Sequence, residues 1–246
     1  MTPNKSKLIL ALDSSSRRLT FAVGRGGEDI ISIDVDGDFR HAETIIQQID
    51  VLLKKADVGL DEIDTLACGV GPGSFTGLRV GLAVTKALVM SKKNSCYVVS
   101  SLDVIARNAL ENVKDSEISS IRVLVDARRS RYYTALYRYS ISEGLYKLGA
   151  DTIMTAEALL TSIERNTVLL GDGLSTFPVN SSIVNQYKIR MLSEQASYPR
   201  ASEIIKLVTE KSPFVKLVEI SGISPAYLRP TEPEERLMDK TGNTHG

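Results

Sequence analysis

Apolar positions in the first 35 residues fall into three short runs, Leu8–Leu12, Thr20–Gly24 and Asp29–Val35, separated by polar or glycine-bearing turns. Runs of this length and composition predict three strands. The spacing then changes. Ile45, Ile46, Ile49, Leu52 and Leu53 share one stripe, which predicts an amphipathic helix over about Ala42–Ala56. Thr65–Val70 reads as a strand that runs into a Gly-Pro-Gly bend and a helix over about Ser74–Met90. Cys96–Val99 predicts a buried strand. Ser100-Ser101-Leu102-Asp103 has the spacing of a capping box ahead of a helix reaching about Lys114.

Near Ile118 the pattern restarts. Ile121–Val125, Tyr132–Tyr139 and Gly144–Leu148 predict three more strands, followed by a helix opening at Thr155, a strand Val168–Leu170 and a late helix over Ala201–Lys211. Sliding the chain by 113 positions lays Leu8–Asp13 over Ile121–Asp126 and Phe21–Val23 over Thr134–Leu136. Few residues are identical, and Asp13/Asp126 is the informative match. The order of three strands, helix, strand, helix occurs twice, which predicts a duplicated α/β unit with two similar lobes. The polar stretch Asn112–Ser120 marks the boundary, giving lobes over 1–115 and 116–230. The Glu-, Pro-, Gly- and Asn-rich residues 231–246 have little to bury and are expected to be a frayed tail.

Charge and cysteine content narrow the function. Thirty Lys and Arg balance thirty Asp and Glu. A protein that holds nucleic acid by bulk positive charge is therefore disfavoured, although a local basic patch remains open. Two cysteines, Cys68 and Cys96, cannot build a disulfide framework or a four-ligand zinc site. The two histidines, His41 and His245, leave no convincing metal set and no nucleophile–base pair. The apolar run Leu8–Leu12 is too short for a signal-peptide core or a membrane span, so the expected location is the cytosol.

The most distinctive stretch is Gly69–Leu88. A glycine-rich strand-to-helix turn can cradle phosphate, but Gly77 is followed by Leu78-Arg79 where a P-loop needs Lys and Ser or Thr, and position 76 is Thr76 where a dinucleotide fingerprint needs glycine. Gly73, Gly77 and Gly81 recur every fourth residue and drift little around one helical face. Each glycine in the helix interior costs roughly 1 kcal/mol relative to alanine, so another backbone is expected to come close. Close packing on the chain's own sheet and docking against a partner subunit are both open at this point. Asp13 and Asp126 each end a first strand and open a polar turn, Asp13-Ser14-Ser15-Ser16 and Asp126-Ala127-Arg128-Arg129, where duplicated ATPase folds carry phosphate-binding hairpins. Such hairpins ordinarily contain glycine so that backbone can approach phosphate. Neither turn does, and turn-capping by Asp and Ser is the simpler reading. The run Arg128–Tyr133 could meet RNA, with a solvated hairpin as the plainer alternative.

These residues together resemble the TsaB (YeaZ) family, the non-catalytic partner subunits of bacterial tRNA threonylcarbamoyladenosine (t6A) synthesis. The resemblance rests on Ile9–Ser16, His41 at the head of the first helix, Gly71–Ala83, Ser100–Ala106, Val125–Tyr133, Gly171-Asp172-Gly173 and Pro225–Arg229. It covers nearly the whole chain. It implies a duplicated actin-like fold of the hsp70, actin and sugar-kinase (ASKHA) superfamily, each lobe a three-stranded unit followed by helix, strand and helix. It also implies a scaffold that binds the catalytic subunit TsaD, which transfers threonylcarbamoyl to N6 of adenosine 37 in tRNAs reading codons that begin with A. The ATPase TsaE would join the complex, ATP would be used by the complex with no cofactor assigned to this chain, and tRNA would be met indirectly. A homodimer is a further expectation. The implied partner surface comprises His41, Gly73, Ser74, Phe75, Thr76, Gly77, Arg79 and Gly81, and Asp13, Ser14, Ser15 and Asp126 would mark a vestigial nucleotide site. The competing expectation is an ATPase or small-molecule kinase of the same superfamily.

Overall fold

The computed structural model describes residues 7–27, 29–37, 42–92, 95–111 and 120–228. The first lobe begins with β1 (Ile9–Asp13), β2 (Arg18–Gly24) and β3 (Ile30–Asp36), followed by α1 (Ala42–Ala56), β4 (Thr65–Gly69), α2 (Phe75–Lys92), β5 (Ser95–Val99) and α3 (Ser101–Asn108). The second has β6 (Ser120–Asp126), β7 (Arg131–Ser140), β8 (Gly144–Thr155), α4 (Ala156–Thr161), β9 (Thr167–Leu170), α5 (Ser181–Tyr187) and β10 (Arg190–Met191). The chain then forms α6 (Ala201–Thr209) and β11 (Val215–Val218). Of the expected boundary Asn112–Ser120, residues 112–119 lie outside the described residues and Ser120 opens β6; His41 and the tail 231–246 also lie outside them.

The two sheets repeat one plan. The first has the order β11-β5-β4-β1-β2-β3 and the second β10-β9-β6-β7-β8. β1 runs antiparallel to β2 and parallel to β4, and β6 stands in the same relation to β7 and β9. This is the duplicated actin-like fold. β1 is apolar at consecutive positions because both of its faces are covered. Leu8, Leu10 and Leu12 pack with α1 and α2, whereas Ile9 and Ala11 pack with α6. In the second sheet Ile121, Val123 and Val125 pack against α3, and Leu124 faces the cluster that holds Leu159 of α4.

The division at 115 does not describe the packing. α6, placed in the second lobe by the sequence, lies on β1, β2 and β4 of the first. β11 pairs antiparallel with β5 at the edge of the first sheet, Val215 opposite Val99. In the other direction, Leu102, Ile105 and Ala106 of α3 fill the core of the second sheet. Arg107 of α3 reaches Glu203 within α6 at 3.3 Å and Glu210 just beyond its end at 2.5 Å. The expected capping box is half formed: Ser100 Oγ accepts from the Leu102 amide at 3.2 Å. The Asp103 carboxylate turns away and accepts from Tyr137 and Lys147, both at 2.6 Å. No helix among the described residues is long and apolar enough to cross a membrane.

Candidate functional site

β4 ends at Gly69, and a bend through Gly71, whose φ of +91° suits glycine, leads into α2. Ser74 caps this helix: its Oγ accepts from the Gly77 amide at 3.2 Å and its carbonyl from Leu78 at 2.9 Å. The Ser74 amide donates to the Ser15 carbonyl at 2.6 Å, and Ser14 Oγ donates to the Gly77 carbonyl at 3.0 Å. The turn after β1 is thereby seated on the first two turns of α2.

That contact decides what the three glycines do. A Cβ on Gly73 would run into the Ser15 carbonyl, one on Gly77 into the Ser14 carbonyl, and one on Gly81 into the Ser14 hydroxyl. Gly77 and Gly81 are buried. The close approach is made within the chain, so the expectation that Gly73, Gly77 and Gly81 present themselves to a partner is corrected. The outer face of α2 is different. It exposes Ser74, Phe75 and Thr76 at its start, then Arg79, Ala83, Ala87 and Met90 at helical spacing. α1 packs beside it and exposes Ile46, 57% accessible.

The aromatic end of this face is built by two distant segments. The Phe75 and Tyr227 rings lie 5.3 Å apart, the Arg79 guanidinium sits 3.8 Å over Phe75, and Arg79 Nε donates to Tyr227 Oη at 3.0 Å. The Ala226 amide donates to the Val70 carbonyl at 2.8 Å, which holds this strap in place. Arg79 is thus engaged by aromatic groups.

Between the lobes lies a cleft of about 940 Å³ bordered by the turns after β1 and β6. The turns are alike: Asp13 Oδ1 accepts from the Ser15 amide and Asp126 Oδ1 from the Arg128 amide, each at 2.7 Å. Both are Asx turns, the local capping that Asp supplies. Asp13 is 1% exposed. Its Oδ2 accepts from Ser101 Oγ at 2.6 Å, and Gly69 leaves room for the carboxylate where any Cβ would collide. Burial pushes the Asp13 carboxyl above its usual range, opposed by hydrogen bonds from Ser101 and Ser15.

Of the nucleotide-site expectations, Ser15 and Asp126 border the cleft, while Asp13 and Ser14 are buried behind it. The Ser15 carbonyl is committed to α2. Across the cleft Asp172 Oδ1 accepts from the Asp126 amide at 3.1 Å, and burial pushes the Asp172 carboxyl up. Among the described residues no group of three or more His, Cys, Asp or Glu side chains is placed to hold a metal.

Arg17 and Tyr198 of the cleft wall form a pair that sequence reasoning missed. Arg17 Nε donates to Tyr198 Oη at 2.6 Å, and its guanidinium pairs with Glu194. The neighbouring Arg18 lies 4.8 Å over the Tyr198 ring while pairing with Asp36. The doublet Arg17-Arg18 after a serine turn is visible in the sequence, but its aromatic partner about 180 residues away is not.

A family model described as TsaD, tRNA N6-adenosine threonylcarbamoyltransferase, matches residues 38–206. The chain is 32% identical to the tRNA threonylcarbamoyladenosine biosynthesis protein TsaB of Haemophilus influenzae over 223 residues, 90% of this chain and 93% of that protein. It is 29% identical to TsaB of Bacillus subtilis over 94% of this chain and 98% of that one. The solved structure of YeaZ from Pseudomonas aeruginosa superposes with a TM-score of 0.70 at 21% identity, covering 90% of this chain and all of the other, and so shares the fold. With identity running the length of the chain and the glycine helix, the serine turn and the duplicated sheets all in place, the chain belongs to the TsaB (YeaZ) family of tRNA threonylcarbamoyladenosine biosynthesis proteins.

Proposed function

We propose that this chain is the non-catalytic scaffold subunit of t6A synthesis, docking on TsaD so that TsaD transfers the threonylcarbamoyl group to adenosine 37. The observation that carries the reading is the outer face of α2. Thr76, Arg79, Ala83, Ala87 and Met90 form one exposed seam, Met90 being 64% accessible, beside the exposed Ile46 of α1. Small residues flanked by a large apolar one allow another helix to approach closely and bury apolar area. Ser74, Phe75, Thr76 and Arg79 remain in the proposed surface. The three glycines leave it, because their role is to seat α2 on the serine turn.

A scaffold role agrees with how the cleft residues are used. Asp13 accepts hydrogen bonds on both carboxylate oxygens, and the Ser15 carbonyl accepts from the first residue of the α2 cap, Ser74. In this reading ATP and TsaE act on the assembled complex.

Ala87→Arg places a bulky charge on the seam without touching the core. Gel filtration with TsaD should lose the joint peak, while the circular dichroism and melting temperature of the variant stay those of the wild type. A variant that co-elutes with TsaD at unchanged affinity would remove this face from the interface.

A further inference from the structure

We propose that the turn between β6 and β7 is a contact for the phosphate backbone of RNA, made by Arg128, Arg129 and Arg131. The inference rests on the t6A reading above, which supplies tRNA as the source of the phosphates.

The turn is unusual in its backbone. Arg131 donates its amide to the Arg128 carbonyl at 3.1 Å, and the two residues between, Arg129 and Ser130, have φ of +54° and +55°. Positive φ at both central positions defines a type I′ hairpin turn, for which Asn-Gly is the favoured pair because L side chains are strained there. Arg128, with φ of +67°, adds a third left-handed residue in succession. A turn shaped by stability alone would carry glycine. Strain retained at an exposed turn points to a use for the side chains it displays.

The turn is also fixed. The Arg128 amide donates to Asp126 Oδ1 at 2.7 Å, the Ala127 amide to the Arg131 carbonyl at 2.9 Å, and the Ala156 amide to the Ser130 carbonyl at 3.2 Å. Three arginine stems therefore leave a rigid base, and all three residues are exposed. Arg131 has no ion pair among the described residues, and Arg128 makes a long one, 3.9 Å to Asp126 Oδ2. Of the nearby acidic groups, Asp172 accepts from the Asp126 amide while its charge also faces Arg128, and Glu194 pairs with Arg17. Planar guanidinium forks match phosphate oxygens in pairs. With a net charge of zero, any RNA affinity has to come from a local cluster such as this one.

The test is a fluorescence-anisotropy titration of unmodified tRNA, from a species reading A-starting codons, with the assembled complex over a range of salt. The variant R128Q/R129Q/R131Q should bind more weakly, and the slope of log K against log salt should fall by about one for each phosphate that is no longer neutralised. Ser130→Gly keeps all three arginines and relieves strain, so it should bind as wild type with a melting temperature no lower. Unchanged affinity and slope in the triple variant would overturn the proposal. So would a triple variant that no longer co-elutes with TsaD, since the turn would then serve assembly, or loss of binding to anionic phosphatidylserine vesicles with tRNA affinity unchanged. If the wild-type chain does not assemble with TsaD, the scaffold reading fails by itself, and the same titration on the isolated chain decides the RNA contact.

Discussion

Replacing Gly77 by alanine sets two effects of opposite sign against each other. Within a helix interior, Gly→Ala stabilises by about 1 kcal/mol through backbone entropy alone. At Gly77, however, the new methyl would lie inside contact distance of the Ser14 carbonyl oxygen, a backbone atom that cannot rotate away. Overpacking of this kind costs about 1–3 kcal/mol. Separating the serine turn from α2 also weakens the bond from Ser14 Oγ to the Gly77 carbonyl, worth about 1 kcal/mol. The clash and the weakened bond outweigh the propensity gain, and Gly77→Ala should destabilise by roughly 1–3 kcal/mol. Urea denaturation monitored by circular dichroism reads this as a lower midpoint at constant slope. Gly81→Ala should behave similarly, with one difference. Its methyl meets the Ser14 hydroxyl, so Ser14→Ala should recover part of the stability at position 81 and none at position 77. A Gly77→Ala protein more stable than the wild type by about the helix-propensity increment would refute the close-approach argument.

Lys147 lies 2.6 Å from Asp103 and from Asp151, and burial already pushes the Asp103 carboxyl up against the pull of Lys147; Lys147→Met should therefore cost about 3–5 kcal/mol in urea unfolding. Arg200→Met, which breaks a pair with the exposed Glu111, should cost about 1 kcal/mol or less. Asp172 holds its proton more tightly in the folded chain than in the unfolded one. Its contribution therefore favours folding at low pH and is lost as pH rises from about 4 through the raised folded value. Asp172→Asn keeps the Oδ1 acceptor and should show a shallower fall of unfolding free energy over that window; parallel profiles would contradict the sign. Tyr227→Ala removes the ring contact with Phe75 and the hydrogen bond from Arg79. It should lower stability by about 1–2 kcal/mol and speed amide exchange at Ala226, and unchanged exchange would show that the strap is held by other contacts.

Much of this architecture could be read from the chain because the controlling signals are local. The strand runs and the α1 stripe are each read from neighbouring positions, and the Asp13/Asp126 match compares two such short runs; the structure repeats the strand runs as two sheets of one plan, while Ile46 of the stripe faces outward. The misplaced features depend on distant partners. Four-residue glycine spacing shows that a backbone comes close, but Ser14 lies 63 positions before Gly77, and sequence alone offered the chain's own sheet or a partner subunit and did not single out the serine turn. Asp103 has the spacing of a capping residue, yet the buried hydroxyl of Tyr137 and the ammonium of Lys147 compete for its carboxylate and win it. α6 was legible as a helix from its apolar period, whereas the sheet it covers was not, because its apolar face suits either lobe. β11, only Val215–Val218, alternates too briefly to announce a strand.

The exchange of helices between the lobes sets an order for synthesis. β5 waits with an open edge, and the β1–β2–β4 surface waits uncovered, until residues 201–218 have been made. A ribosome that has released the first 115 residues has therefore produced a sheet with one bare face and one unpaired strand edge. Each lobe is finished by the other's chain, so a cut at the polar boundary would yield two aggregation-prone fragments in place of two working domains.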